Sequence, residues 1–250
     1  MAEENKNALQ RGVVVEFDFT AIDGSQLLFE TAKKVLNGHG VDLTVKLEAM
    51  RLVGGNYQGG LSELFEFLGS KADAAKVAQE LAEAFRAALG TQAVQAVTPG
   101  FKAFVKALVD KGVKVVVSTR SDVEPLKAAL AEFDPALVVT YAEPSNTYGN
   151  CKWDAWRRAC SQNGLIEKLS AAVTGSGKGV KSALVAGMSA LAIVHDHVAY
   201  QDFGGADAVA EQFDASLAAI VVIHEPTGPP QMSLAASVSI KIRGATIALR

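Results

Sequence analysis

Val13-Val14-Val15-Glu16-Phe17-Asp18-Phe19-Thr20-Ala21-Ile22-Asp23 joins a short β-branched run to a cluster of acids, and its reading decides the fold. Three consecutive valines without alternation describe a strand buried on both faces, as in a parallel sheet covered by helices. The acids then fall just beyond the carboxyl end of that strand, where ligands bind in open α/β sheets. Glu16 and Asp18 are two apart, so in extended backbone they share a side. Paired carboxylates there suit a divalent cation or an acid/base pair acting on phosphate. Taken alone, they read better as solvated loop acids.

Working outward, four more short apolar runs follow: Val113–Val117, Leu137–Val139, Ala190–Val194 and Ala218–Ile223. Helical patterns lie between them. Thr98 caps a helix over Pro99–Lys111, with Pro99 at its first position, Gly112 just past its end and Phe101, Phe104 and Leu108 in one stripe. Ser121-x-x-Glu124 is a capping box ahead of Val123, Leu126 and Leu130. Strand alternating with helix predicts an α/β fold with a parallel sheet.

The alternation breaks once. Between the first run and the second the patterns are helical: Gln26–Leu36, Thr44–Leu52, Leu61–Leu68 and Ala72–Leu89. A helical subdomain over 24–94 is therefore expected to split an α/β core into 1–23 and 95–230. Glu225-Pro-Thr-Gly-Pro-Pro-Gln231 is a turn-rich break. Beyond it, over 231–250, Val238, Ile240 and Ile242 alternate with polar residues, as in an edge strand or hairpin.

Composition narrows the function classes. The 250 residues are 49% apolar and 20% charged, enough apolar surface for a large core. Net charge −3 supplies no basic surface for nucleic acid or an anionic membrane. The longest apolar stretch, Ala183–Val194, is too short for a membrane span, which needs ~20 residues. The polar N-terminus has no hydrophobic run of the secretory kind. Cys151 and Cys160, nine positions apart on one expected helix, are too distant to bridge. These features point to a cytoplasmic protein.

Four motifs in order then resemble the haloacid dehalogenase superfamily, in its phosphatase branch with a helical cap inserted after the first motif. That motif is a strand followed by D-x-D-G-T-L; here it reads Glu16-Phe17-Asp18-Phe19-Thr20-Ala21, with Asp23 at the later acidic position. The second, a strand ending in Ser or Thr, matches Val115-Val116-Val117-Ser118-Thr119, preceded by Thr98-Pro99-Gly100-Phe101. The third, a Lys opening a helix, matches Gly149-Asn150-Cys151-Lys152-Trp153. The fourth, a strand ending in acids, matches Ala192-Ile193-Val194-His195-Asp196.

The resemblance implies a Rossmannoid core with an inserted helical cap, and Mg²⁺-dependent hydrolysis of a small phosphorylated metabolite. Glu16 would stand at the nucleophile position and Asp18 would be the acid/base. Ser118, Thr119 and Lys152 would hold the phosphoryl group, and Glu16, Asp18 and Asp196 the metal. Asn56, Tyr57 and Gln58, in a glycine-rich interruption of the cap helices, would select substrate. There are departures. Glu16 replaces Asp, and one extra methylene shifts the carboxylate by about an ångström, a displacement that can cost ~10²-fold. Phe19 and His195 stand where glycines are usual, Tyr200 where a second acid is, and the stretch around Leu165–Gly187 looks like an extra segment. Such departures also fit a catalytically inactive relative that binds a phosphorylated ligand or a protein partner. Gly175-Ser-Gly-Lys178-Gly resembles a P-loop only in part and reads as a flexible loop. His195-Asp196-His197 reads as a hydrogen-bonded strand end in preference to a transition-metal site.

Overall fold

The computed structural model describes residues 10–52, 57–121, 123–131, 138–141, 153–222, 239–242 and 245–248. The opening valines form β1 (Gly12–Glu16), followed at once by a single helical turn, α1 (Phe17–Thr20). Four helices come next, with no strand among the described residues between them: α2 (Gly24–Gly38), α3 (Val45–Arg51), α4 (Tyr57–Leu68) and α5 (Ala74–Gln92). Strand and helix then alternate through α6 (Pro99–Val109), β2 (Lys114–Thr119), α7 (Val123–Ala131), β3 (Val138–Tyr141), α8 (Trp153–Gln162), β4 (Ala171–Thr174), α9 (Gly177–Ala186) and β5 (Ser189–Ile193). A short β6 (Ala208–Ala210) and α10 (Leu217–Val222) close the core.

All six core strands are parallel, in the order β3-β2-β1-β4-β5-β6. The β1–β2 register sets Glu16 opposite Ser118. From β1 the chain builds outward to β2 and β3, then crosses to the other side for β4. The crevice beyond the ends of β1 and β4 is thus the topological switch point, the usual ligand position in such sheets.

Alternation within the strands divides the core. Val13, Val15, Val115 and Val117 join one continuous apolar cluster with Phe17, Phe101 and Phe104 and with Leu28, Leu61, Leu81 and Phe85 of the helices after β1. Val14 and Val116 face the opposite layer, against Trp156 of α8 and Val180 and Ala183 of α9. Thr98 caps α6 as its sequence predicts, its hydroxyl accepting from the Phe101 amide at 3.2 Å.

Three expectations fail, each for a physical reason. The stretch around Leu165–Gly187 is no extra segment, because it contains β4 and α9. Ala171-Ala172-Val173-Thr174 is alanine-rich and carries little strand propensity, yet all four residues are buried, and β1 and β5 pair with the strand on either side. Small side chains there suit close packing of α9. The loop reading of Gly175–Gly179 falls with it, since these residues form the turn from β4 into α9. Ala218–Ile223 is helical over Leu217–Val222, with Leu217 and Ala218 buried and Ala219 exposed. A short apolar run does not distinguish strand from helix by itself. The tail does form a hairpin, β7 (Ser239–Ile242) antiparallel to β8 (Ala245–Ala248). Among the described residues, no helix is long and apolar enough to cross a membrane.

Candidate active site

The end of β1 turns directly into α1, and this turn sets the two acids. Thr20 Oγ1 donates to the Glu16 carbonyl at 2.8 Å, closing the turn. Phe17 and Phe19 anchor it in the core: Phe17 meets Phe101 edge-on at 5.3 Å, and Phe19 lies 6.0 Å from Phe85 of α5. Glu16 and Asp18 are both carried below the surface, at 4% and 2% exposure. Neither is a solvated loop acid.

Each buried carboxylate is met by donors from this chain. The Thr174 hydroxyl, at the end of β4, donates to Glu16 Oε2 at 2.6 Å. Asp18 takes the Thr119 hydroxyl on Oδ1 at 2.7 Å and the Arg120 amide on Oδ2 at 2.6 Å. Ser121 completes the cluster, its Oγ 2.8 Å from that of Thr119. Burial pushes the Glu16 carboxyl up to about 7, against the opposing pull of the Thr174 hydrogen bond and the Arg120 charge. Burial also raises Asp18, against the Thr119 and Arg120 hydrogen bonds.

Nothing local in the sequence marks Arg120 as part of the site. It is nearly buried, stacks its guanidinium 5.0 Å from the centre of the Phe19 ring, and hydrogen-bonds Tyr57 at the start of α4. Tyr57, one of the three expected specificity residues, therefore does reach the site, and burial raises its phenol. Gln58 is exposed, whereas Asn56 lies outside the described residues. Lys152 also lies outside them. Ser118 is half-buried beside Glu16 in the sheet register, while the adjacent Thr119 makes the hydrogen bond to Asp18.

Asp196 has to be corrected. Its strand, β5, pairs with β4 and β6 and never touches β1 in the sheet. Asp196 itself is exposed at the start of the turn Asp196–Val198. The histidines flanking it serve as ties: His195 Nε2 lies 3.1 Å from the Thr20 carbonyl, and His197 Nε2 lies 2.9 Å from Oε2 of the buried Glu48 on α3. The Glu48 carboxylate raises His197.

The strand that does flank β1, β4, ends in Thr174-Gly175-Ser176, with no acid. Position 175 is closed to one. A Cβ built on Gly175 would overlap the Phe19 carbonyl oxygen and come within 2.6 Å of the carbonyl carbon. The loops after β1 and β4 thus touch backbone to backbone across the switch point. Among the described residues, no group of three or more His, Cys, Asp or Glu side chains is arranged to hold a metal ion. Mg²⁺ requires near-octahedral oxygen ligation and keeps several waters. The acids present, already hydrogen-bonded to protein donors and desolvated, do not fit it.

Comparison with solved structures assigns the architecture. The β-phosphoglucomutase of Clostridium difficile superposes with a TM-score of 0.60 at 13% identity, covering 83% of this chain and 93% of that one. CbbY of Rhodobacter sphaeroides, in complex with phosphate, gives 0.60 at 16%, covering 83% and 96%. A haloacid dehalogenase family hydrolase of Deinococcus radiodurans, with bound phosphate and sodium, gives 0.53 at 19%, covering 86% and 98%. The chain has the haloacid dehalogenase fold. Identities this low carry the fold alone. No protein-family model and no curated protein sequence matches the chain.

Proposed function

We propose that this chain is a haloacid-dehalogenase-fold protein that works by recognition and does not turn over phosphate esters by the Mg²⁺ route. One observation carries this reading: the strand beside Glu16 ends in Thr174-Gly175, and the Phe19 backbone fills the space an acid at 175 would need. The Glu16 substitution agrees with it, because the longer side chain is spent on Thr174 in the protein's own hydrogen-bond network. Apolar residues exposed on the inserted helices, Val45 and Met50 on α3 and Phe67 and Leu68 on α4, favour a protein partner over a small phosphorylated ligand.

A second reading, weak phosphohydrolase activity, draws on the convergence of Glu16, Asp18 and the Thr119 hydroxyl beyond β1 and β2. In it Asp18 would move protons and Thr119 would orient the phosphoryl oxygens. A panel of phosphate esters, with and without Mg²⁺, separates the two. The recognition reading expects no turnover. Mg²⁺-dependent turnover that disappears in Asp18→Asn would establish the hydrolase instead.

A further inference from the structure

We infer that the Arg120 guanidinium is the resident cation of this cleft, supplying from within the chain the positive charge that lets two buried carboxylates share one site. The inference rests on the reading that Mg²⁺ does not fit here, and it concerns what has taken the metal's electrostatic role.

The arrangement is specific. Arg120 follows the last residue of β2, so its backbone and its side chain can serve the same cluster. The amide donates to Asp18 Oδ2 at 2.6 Å, while the side chain stays nearly buried. The guanidinium lies on the Phe19 ring and is hydrogen-bonded to Tyr57, and its charge favours the ionised form of both Glu16 and Asp18. A planar, permanently charged group suits this place better than an ammonium would, because it stacks on a ring and donates in its own plane at the same time. Once both carboxyls ionise, they would be left uncompensated without such a partner in a medium that solvates charge poorly, which is strongly destabilising.

The same side chain also joins two parts of the molecule. Phe19 belongs to the turn after β1, Tyr57 to α4, and Phe85, on which Phe19 packs, to α5. The guanidinium thereby adds a polar tie to the apolar packing that already joins the inserted helices to the sheet. A fixed positive charge beside the carboxylates also repels a second cation, so the chain has exchanged a site that can be loaded for one that is permanently filled.

Thermal unfolding of the full chain at pH 8, without any phosphate ester, tests this. Arg120→Met keeps much of the stem and removes the charge, and it should lower the melting temperature by roughly 10 °C. In a Glu16→Gln background, where one carboxylate is already gone, the same substitution should lower it by no more than half as much. If Arg120→Met fails to fold alone but folds in that background, the coupling is equally established. Equal losses in both backgrounds, no loss in either, or failure to fold in both would overturn the inference, because packing and not charge would then be the role of Arg120. A rise in the parent's melting temperature with millimolar MgCl₂ would also overturn it. Ester hydrolysis is a separate measurement, so a hydrolysing parent would refute the recognition reading without deciding this one.

Discussion

The two flanks of β1 differ in what they offer the acids between them. On the β2 side the site is richly furnished: the Thr119 hydroxyl and the Arg120 amide donate to the Asp18 carboxylate, the Ser121 hydroxyl meets that of Thr119, and the Arg120 charge favours ionised Asp18. On the β4 side the Thr174 hydroxyl and the Gly175 backbone meet Glu16, and the position after Thr174 is a glycine with no side chain to offer. The β2 flank offers donors to an acid, whereas the β4 flank has no acid of its own at its end. Both acids of the turn after β1 are nonetheless buried and met by protein donors, so the fold packs closely around them.

The largest expected effect comes from placing an acid on the β4 flank. Gly175→Asp should cost about 4 kcal/mol or more by denaturant unfolding, because the new Cβ meets backbone and not a side chain that can turn away. A stable Gly175→Asp protein that binds Mg²⁺ would erase the contrast between the flanks.

Next comes charge. Folded Glu16 keeps its proton to about pH 7, whereas a model carboxyl of its kind releases it near 4.5. The folded state then binds more protons than the unfolded one across that window. Stability contributed by Glu16 is therefore full below 4.5 and falls as pH rises towards 7, by on the order of 3 kcal/mol. Raised Asp18 acts in the same direction. Glu16→Gln should flatten this dependence and be more stable than the parent at pH 8. Urea midpoints across pH 4–8 check it, and a parent that gains stability on going from pH 5 to 7 through this site would contradict the account.

The smallest effect sharpens the role of the β4 flank's hydroxyl. Thr174→Val should cost about 1–2 kcal/mol, mostly at pH 8, by leaving a buried carboxylate oxygen without its donor. The same change in a Glu16→Gln background should cost less.

Much of the fold is legible from the valines. β1 and β2 are β-branched runs buried on both faces, and α6 announces itself by Thr98, Pro99 and Gly112. β4 is not legible, because Ala171-Ala172 has neither the branching nor the period of a strand; only pairing on both edges makes it one. With β4 unread, the next legible strand is β5, and Asp196 after it is expected at a site that only β4 flanks. Glu16, Asp18 and Thr119 could be read from position alone, since they follow directly on the strands that carry them. Arg120 could not, because its role depends on a ring from α1 and a phenol from α4 that meet it only in the folded chain. An arginine beside a strand end is ordinarily a surface residue, and nothing local to Thr119-Arg120-Ser121 marks it as buried.

Calorimetric titration of the parent with Mg²⁺, in the presence of inorganic phosphate, bears most directly on the central claim that this cleft is complete without a metal. The account predicts no saturable heat above dilution, with or without phosphate, and the same silence in Asp196→Asn. Saturable Mg²⁺ binding at millimolar or lower concentration, lost in Asp18→Asn, would contradict it.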